Sequence, residues 1–121
     1  MSSTTETIAS PSTVGTGRIA RLTVEQRPEW TDVRLGENYH LTVRVIGGNM
    51  VQVSPRGYAT APGVRSALAL LDEAVQEGVG EGNPYVHIGD YSKLEGTTQE
   101  ARRVFTEFMK DRPNLVGIVF C

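Results

Sequence analysis

The chain has 121 residues, of which 39% are hydrophobic and 21% are charged, a composition typical of one globular domain. It has 12 Lys and Arg residues and 14 Asp and Glu residues, and the resulting net charge of −2 does not favour nucleic acid as a partner. The single cysteine and the two histidines give no set with metal-ligand spacing, so we expect no metal and no other cofactor.

The N-terminal leader, MSSTTETIASPSTVGTG, has neither the basic nor the apolar region of a secretory signal. No apolar run approaches the roughly 18 residues that cross a bilayer, so we expect a cytoplasmic protein with no membrane partner. The leader offers only Ile8 and Val14 as sizeable apolar side chains. We therefore predict a flexible tail over residues 1–17, with ordering by a partner chain as the alternative, and a single domain over residues 18–121.

The first predicted elements are β-strands. Ile19, Leu22 and Val24 indicate a strand or extended arm that leads to Trp30. The stretch NYHLTVRVI then alternates apolar and polar residues, GGN supplies residues that tolerate positive φ, and MVQVS resumes the alternation. This pattern predicts an antiparallel hairpin over residues 39–54.

Two helices are predicted after the hairpin, with the strand YVHI between them. In the first, Val64, Leu68, Leu71 and Val75 follow the helical period, Thr60 is the expected N-cap, and Gly78 marks the exit. The second is predicted to begin at Thr98, because Thr97 and Glu100 have the spacing of a capping box. Its predicted apolar face consists of Ala101, Val104, Phe105, Phe108 and Met109.

The last predicted element is the strand LVGIVFC, which is apolar almost throughout and is expected to be parallel and covered on both faces. The fold class is therefore α/β, with a mixed sheet of four to five strands, an N-terminal antiparallel hairpin and then β-α-β-α-β order. A chain that stops within a buried strand lacks the element that normally covers it. We expect a truncated domain, and the alternative is a natural C-terminus on an edge strand.

The candidate functional residues lie between YVHI and the second helix. Asp90 and Ser92 follow the carboxyl end of a strand, where open α/β sheets bind ligands, although both residue types also form turns. Thr97 and Thr98 lie at the helix start as a candidate switch, although capping alone explains a threonine there. We predict a switch or contact loop made of Asp90, Ser92, Thr97 and Thr98, with no catalytic residue and no metal ligand.

Two further side chains, His87 and Cys121, are of residue types that can react. His87 alternates with Val86 and Ile88 and so could point into a site, but a lone histidine is more often a satisfied core or surface residue. Cys121 has no neighbouring cation to lower the pKa of its thiol, which favours a small buried hydrophobe over a nucleophile.

The element order and the stretch YVHIGDYSKLEGTTQEARRVF resemble the STAS family, whose typical members are bacterial anti-sigma-factor antagonists. In that family a strand ending in an Asp-x-Ser-like sequence precedes a loop and a helix, and the antagonists are phosphorylated on Ser or Thr at the helix start. Asp90, Ser92, Thr97 and Thr98 occupy the comparable places, although EGTTQE replaces the usual Asp-Ser-Ser-Gly-like residues. The segment EARRVFTEFMKDRPNLVGIVF is similar to STAS-like domains at the N-termini of bacterial sensor proteins, upstream of PAS, histidine kinase or diguanylate cyclase modules.

This resemblance implies a STAS-like fold and a non-catalytic regulatory or sensory module of bacterial signal transduction, such as the N-terminal domain of a sensor kinase. The module would act through contacts with a protein partner or adjoining signalling domains, and a homodimer is expected. The alternatives are a stand-alone antagonist regulated by phosphorylation and a sensor domain that binds a small ligand. Fold resemblance alone supports function only by analogy.

Overall fold

The computed structural model describes residues 4–9 and 21–121, which form one mixed β-sheet and two α-helices. The helices are α1 (Ala61–Ala74), which continues as a π-helical segment over Val75–Val79, and α2 (Gln99–Lys110). The eight strands of the described residues are β1 (Thr4–Ala9), β2 (Arg21–Gln26), β3 (Val33–Gly36), β4 (Tyr39–Ile46), β5 (Met50–Ala59), β6 (Tyr85–Gly89), β7 (Lys93–Thr97) and β8 (Leu115–Phe120). The predicted α/β class is confirmed, and the sheet is larger than the four to five strands predicted.

The main path of the sheet runs in the order β1-β2-β4-β5-β6-β8. The pairs β1–β2, β2–β4 and β4–β5 are antiparallel, whereas the pairs β5–β6 and β6–β8 are parallel. Two short strands pair beside this path, β3 with the first half of β4 and β7 with the second half of β5. The predicted hairpin and the predicted parallel pairing of the last two core strands are both confirmed.

The hairpin follows directly from the sequence pattern. The alternate residues of β4, namely Tyr39, Leu41, Val43 and Val45, are buried. The turn to β5 places Gly47 at φ 63° and Gly48 at φ 78°, in the left-handed region that glycine occupies without strain. One face of β4 and β5 thus forms the floor of the core.

Helix α1 packs on this floor through one face, which includes Val64, Leu68 and Leu71. Thr60 is its N-cap residue as predicted, although its side chain makes no capping hydrogen bond. The helical path extends past the predicted exit at Gly78 to Val79. A Cβ at Gly78 would lie 2.5 Å from Cγ2 of Val45, so glycine allows the π-helical segment to approach β4 closely.

Helix α2 begins one residue later than its predicted capping box requires. Its N-cap is Thr98, whose hydroxyl oxygen accepts a hydrogen bond from the backbone N–H of Ala101 at 3.0 Å. The prediction that Thr97 and Glu100 form the box was therefore wrong. The predicted apolar face is confirmed, because Ala101 is buried and Val104, Phe105, Phe108 and Met109 pack against the core.

Strand β8 is not covered on both faces, as its apolar sequence had predicted. It is the last strand of the sheet order, whereas α1 contacts β3, β4 and β5. Val116 is 68% exposed and Phe120 is 61% exposed. Cys121 is also exposed, so the prediction of a small buried hydrophobe was wrong there.

The N-terminal region contains strand β1, which pairs antiparallel with β2 from Thr4 opposite Gln26 to Ala9 opposite Arg21. This strand lies within the segment 1–17 for which a flexible tail was predicted. The other residues of that segment, including Val14, lie outside the described residues.

Candidate functional site

A pocket of about 330 Å³ lies between the sheet and the two helices. Among its lining residues only Arg102 and Thr106, both on α2, are exposed, so its mouth lies beside that helix. The complete lining consists of Tyr39, Leu41, Val53, Pro55, Ala59, Val64, Ala67, Leu68, Leu71, His87, Tyr91, Leu94, Thr97, Ala101, Arg102, Phe105 and Thr106.

The pocket exists because small side chains occupy three positions of its wall. Ala59 ends β5, Ala67 lies in α1 and Ala101 lies in the first turn of α2, and all three are buried. Larger residues complete the wall, since Leu68 of α1 and Phe105 of α2 also line it. A helix-sheet interface normally packs to the density of an organic crystal, with few voids larger than a water molecule.

His87 is the polar residue buried most deeply in this wall. It belongs to the face of β6 that also carries Tyr85 and Gly89, and its side chain is 0% exposed. Its Nε2 lies 3.5 Å from the hydroxyl of Tyr91, while its Nδ1 has no hydrogen-bond partner. The imidazole centroid lies 6.1 Å from that of Phe105.

Both polar groups of this pair are neutral near pH 7. Burial, with a smaller contribution from the positive charge of Arg112, lowers the pKa of His87 to about 4. Burial also raises the pKa of Tyr91 to about 12, with a smaller contribution from Tyr39. Arg112 is held by hydrogen bonds to the Tyr85 hydroxyl, at 3.0 Å, and to Asp72.

The segment predicted to be one switch loop is divided into a turn, a strand and a helix cap. The backbone N–H of Asp90 donates to the carbonyl of Val53 at 2.9 Å, which keeps the turn joined to β5. The Asp90 carboxylate accepts hydrogen bonds from the Ser92 N–H at 3.2 Å and from its hydroxyl at 2.7 Å. These bonds lower the pKa of Asp90. Asp90 and Ser92 therefore form a turn of the kind that Asx residues stabilise locally.

The two threonines at the end of this segment differ in position. The hydroxyl of Thr97, the last residue of β7, donates to the carbonyl of Thr98 at 3.2 Å, and the side chain lines the pocket. Thr98 instead caps α2. Of the four predicted switch residues, only Thr97 contributes to the wall of the pocket.

Four pocket residues with polar groups were not among the candidates from sequence, namely Tyr39, Tyr91, Arg102 and Thr106. The sequence contained one signal of a buried polar site at this place. His87 shares a face of YVHI with Tyr85 rather than with polar residues, which indicates a buried imidazole. Arg102 and Thr106 are one turn apart on α2, beside its apolar face, where spacing alone does not distinguish a pocket rim from an exposed surface.

The residues that the structure describes include no group of three or more His, Cys, Asp or Glu side chains that could hold a metal ion. In the same part of the chain, no helix has the length and apolar character needed to cross a membrane. Comparisons with protein families, with curated proteins and with solved structures found no match to this chain.

Proposed function

We propose that this chain is a non-catalytic regulatory module that senses a small, mostly apolar molecule. The pocket of about 330 Å³ between the sheet and the two helices is the observation that carries this proposal. Its wall is mostly aliphatic and aromatic, with a few polar groups at His87, Tyr91 and the rim. Concave apolar surfaces with a few convergent polar groups are typical of small-molecule sites.

The size of the pocket argues against a simple packing defect, because protein interiors contain few voids larger than a water molecule and this space is about 330 Å³. Larger apolar side chains at Ala59, Ala67 and Ala101 would bury more apolar surface and contribute to stability. The mouth beside α2 gives a ligand access to the space that these alanines leave.

The size also sets the scale of the ligand. An apolar cavity of about 150 Å³ holds one benzene molecule. The pocket here is about twice as large, at 330 Å³, so a bicyclic hydrocarbon body with a small substituent fits. A ligand in this position contacts β5, α1 and α2 together, and its binding free energy stabilises their packing.

The STAS-like assignment forms the finer part of the proposal. Support comes from the hairpin β4–β5, followed by α1, β6, α2 and β8 in that order, with Thr98 at the N-cap of α2. Strand β7 is an addition between β6 and α2. In this proposal the partners are adjoining PAS, histidine kinase or diguanylate cyclase domains. Sequencing the adjoining coding region tests this, since a flanking region that encodes no signalling domain would contradict the sensor-protein assignment.

Ligand binding is tested with indane, an uncharged bicyclic hydrocarbon, followed by changes in amide NMR shifts. We expect saturable changes at residues that line the pocket. Ala67→Phe places a ring into the pocket and should abolish them. Ala69→Phe is the matched control, because Ala69 lies on the exposed side of the same helix and does not line the pocket.

The proposal fails if indane produces no saturable change in the wild-type protein. It also fails if Ala67→Phe folds and binds indane as the wild type does, because binding would then occur elsewhere. Loss of binding in both variants would indicate a general effect of the added ring on helix α1 and would not support the pocket.

A second candidate function, self-association, rests on the exposed apolar surface of β8. Val116, Ile118, Val119 and Phe120 are 68%, 40%, 50% and 61% exposed, and β8 ends the described strand order. An exposed apolar edge strand favours pairing with another strand, and antiparallel pairing of two β8 edges is compatible with a two-fold dimer. Sedimentation equilibrium tests this candidate. A dimer that Val119→Lys dissociates supports it, and a monomer at high concentration contradicts it.

A further inference from the structure

The chemistry of the pocket wall restricts what its ligand can carry. Away from the mouth, the nitrogen and hydroxyl groups of the wall belong to Tyr39, His87, Tyr91 and Thr97. The Thr97 hydroxyl already donates to a backbone carbonyl at 3.2 Å. His87 differs, because its Nδ1 is buried and has no partner.

A neutral imidazole has one donor nitrogen and one acceptor nitrogen. The contact of His87 Nε2 with the Tyr91 hydroxyl is 3.5 Å, at the upper limit of a hydrogen bond. The imidazole can therefore exchange this contact for a better one at small cost. An unsatisfied polar atom is expensive in an apolar interior, so a ligand that satisfies it gains affinity.

Charge gives the second restriction. His87 is uncharged near pH 7, and the cation of the pocket wall, Arg102, lies at the exposed mouth. The charge of Arg112 acts on His87, but Arg112 does not line the pocket and is already bonded to Asp72. A carboxylate inside the pocket would therefore lose its hydration without gaining a direct ion pair, which is unfavourable. A hydroxyl or carbonyl group carries a much smaller desolvation cost. A hydroxyl can donate to or accept from His87 and so bonds to either tautomer, whereas a carbonyl only accepts and needs the tautomer that donates.

We propose that the pocket selects uncharged molecules that place one hydroxyl or carbonyl group against His87 on an apolar body of bicyclic size. This inference rests on the proposed ligand-binding function and names the chemical class of the ligand. His87 is a specificity-determining residue in it, and Tyr91 holds the imidazole in the ligand-free protein.

Three probes with one shared body test the inference: indane, indan-2-ol and indane-2-carboxylate. Calorimetry should give about 3- to 10-fold tighter binding of indan-2-ol than of indane, the gain expected for one net hydrogen bond. His87→Phe should remove this gain and retain indane binding. The carboxylate should bind more weakly than either neutral probe.

A readout on the wild-type protein keeps the test independent of how His87→Phe folds. Indan-2-ol should shift the ¹⁵N resonances of the His87 side chain, and indane should shift them much less. Equal affinities for indane and indan-2-ol, with the His87 resonances unchanged by both, would overturn the inference while leaving apolar ligand binding intact. Tightest binding of the carboxylate would overturn the preference for uncharged ligands. Failure of all three probes would instead refute the proposed function.

Discussion

The buried imidazole of His87 should make the stability of this protein depend on pH. A histidine whose pKa is lowered in the folded state binds a proton more readily when the chain is unfolded. Protonation therefore favours unfolding, so this contribution is greatest above the unfolded pKa and decreases as the pH falls toward the folded pKa. For His87 the window runs from pH 6.5 down to about pH 4.

The magnitude follows from the difference between the two pKa values. The change from 6.5 to about 4 corresponds to about 3 kcal/mol over the full window, at about 1.4 kcal/mol per pKa unit. About 2 kcal/mol of this should be lost between pH 7 and pH 5. The side chain is 0% exposed, so little of the effect is screened by solvent. Carboxyl groups with lowered pKa, such as that of Asp90, titrate below this range.

Urea denaturation at pH 5, 6 and 7 measures the effect in wild type and in His87→Phe. Between pH 7 and pH 5 the free energy of unfolding should fall by about 2 kcal/mol more in wild type than in the variant. The variant should also be at least as stable as wild type at pH 7, because the unpartnered Nδ1 is removed. The chain has one other histidine, His40, and His40→Gln is the control that should retain the effect of His87. Parallel pH profiles for wild type and His87→Phe would refute the buried, neutral state of His87.

Three further predictions concern stability measured by urea denaturation at pH 7. Leu68→Ala should cost about 2 to 4 kcal/mol by enlarging the space beneath α1, and a loss below about 1 kcal/mol would place this side chain outside the core. Thr98→Ala should cost about 1 kcal/mol because it removes the α2 cap, and Thr97→Ala should cost less; the reverse order would contradict the observed cap. Gly57→Ala should destabilise more than Gly48→Ala, since both have positive φ but only at Gly57 would the Cβ meet a backbone carbonyl; equal losses would contradict that close approach.

The antiparallel hairpin was predictable because its information is local. Residues 39–45 alternate between apolar and polar side chains, and the glycines at 47 and 48 supply the positive φ that the turn requires. The parallel β6–β8 pairing was also predictable, because a helix between two strands favours a βαβ crossover. In both cases the connection between the two strands determines their relative direction.

The start of α2 was predicted one residue early because the spacing to Glu100 favoured Thr97 over the adjacent Thr98. A long-range contact decides between them. The backbone N–H of Thr98 donates to the carbonyl of Ala59 at 3.0 Å, and Thr97 pairs with Ala59 in the β5–β7 ladder. Thr97 is thereby held in the sheet, and Thr98 is the first residue free to cap. The spacing of residues within the helix does not indicate this pairing.

The exposure of β8 was not predictable from its own residues. An apolar run has the same appearance whether the strand is central or at an edge, because burial depends on which elements lie beside it. Strands β1 and β7 were missed for a related reason. Their segments contain Thr, Gly and charged residues, and their pairing with β2 and β5 provides the hydrogen bonds that their sequences do not indicate.

At the pocket, the residues that would allow a ligand to bind also lower the stability of the protein. The alanines at 59, 67 and 101 leave space in which larger apolar side chains would contribute packing, and the buried His87 lowers stability as the pH falls. Local sequence rules favour larger apolar residues at such core positions, and departures from those rules are expected mainly at functional sites. Among the described residues, three of the five buried alanines line one pocket together with the buried histidine, and a ligand explains these four residues together. Its bound apolar body would restore the missing packing, and its polar group would satisfy the imidazole.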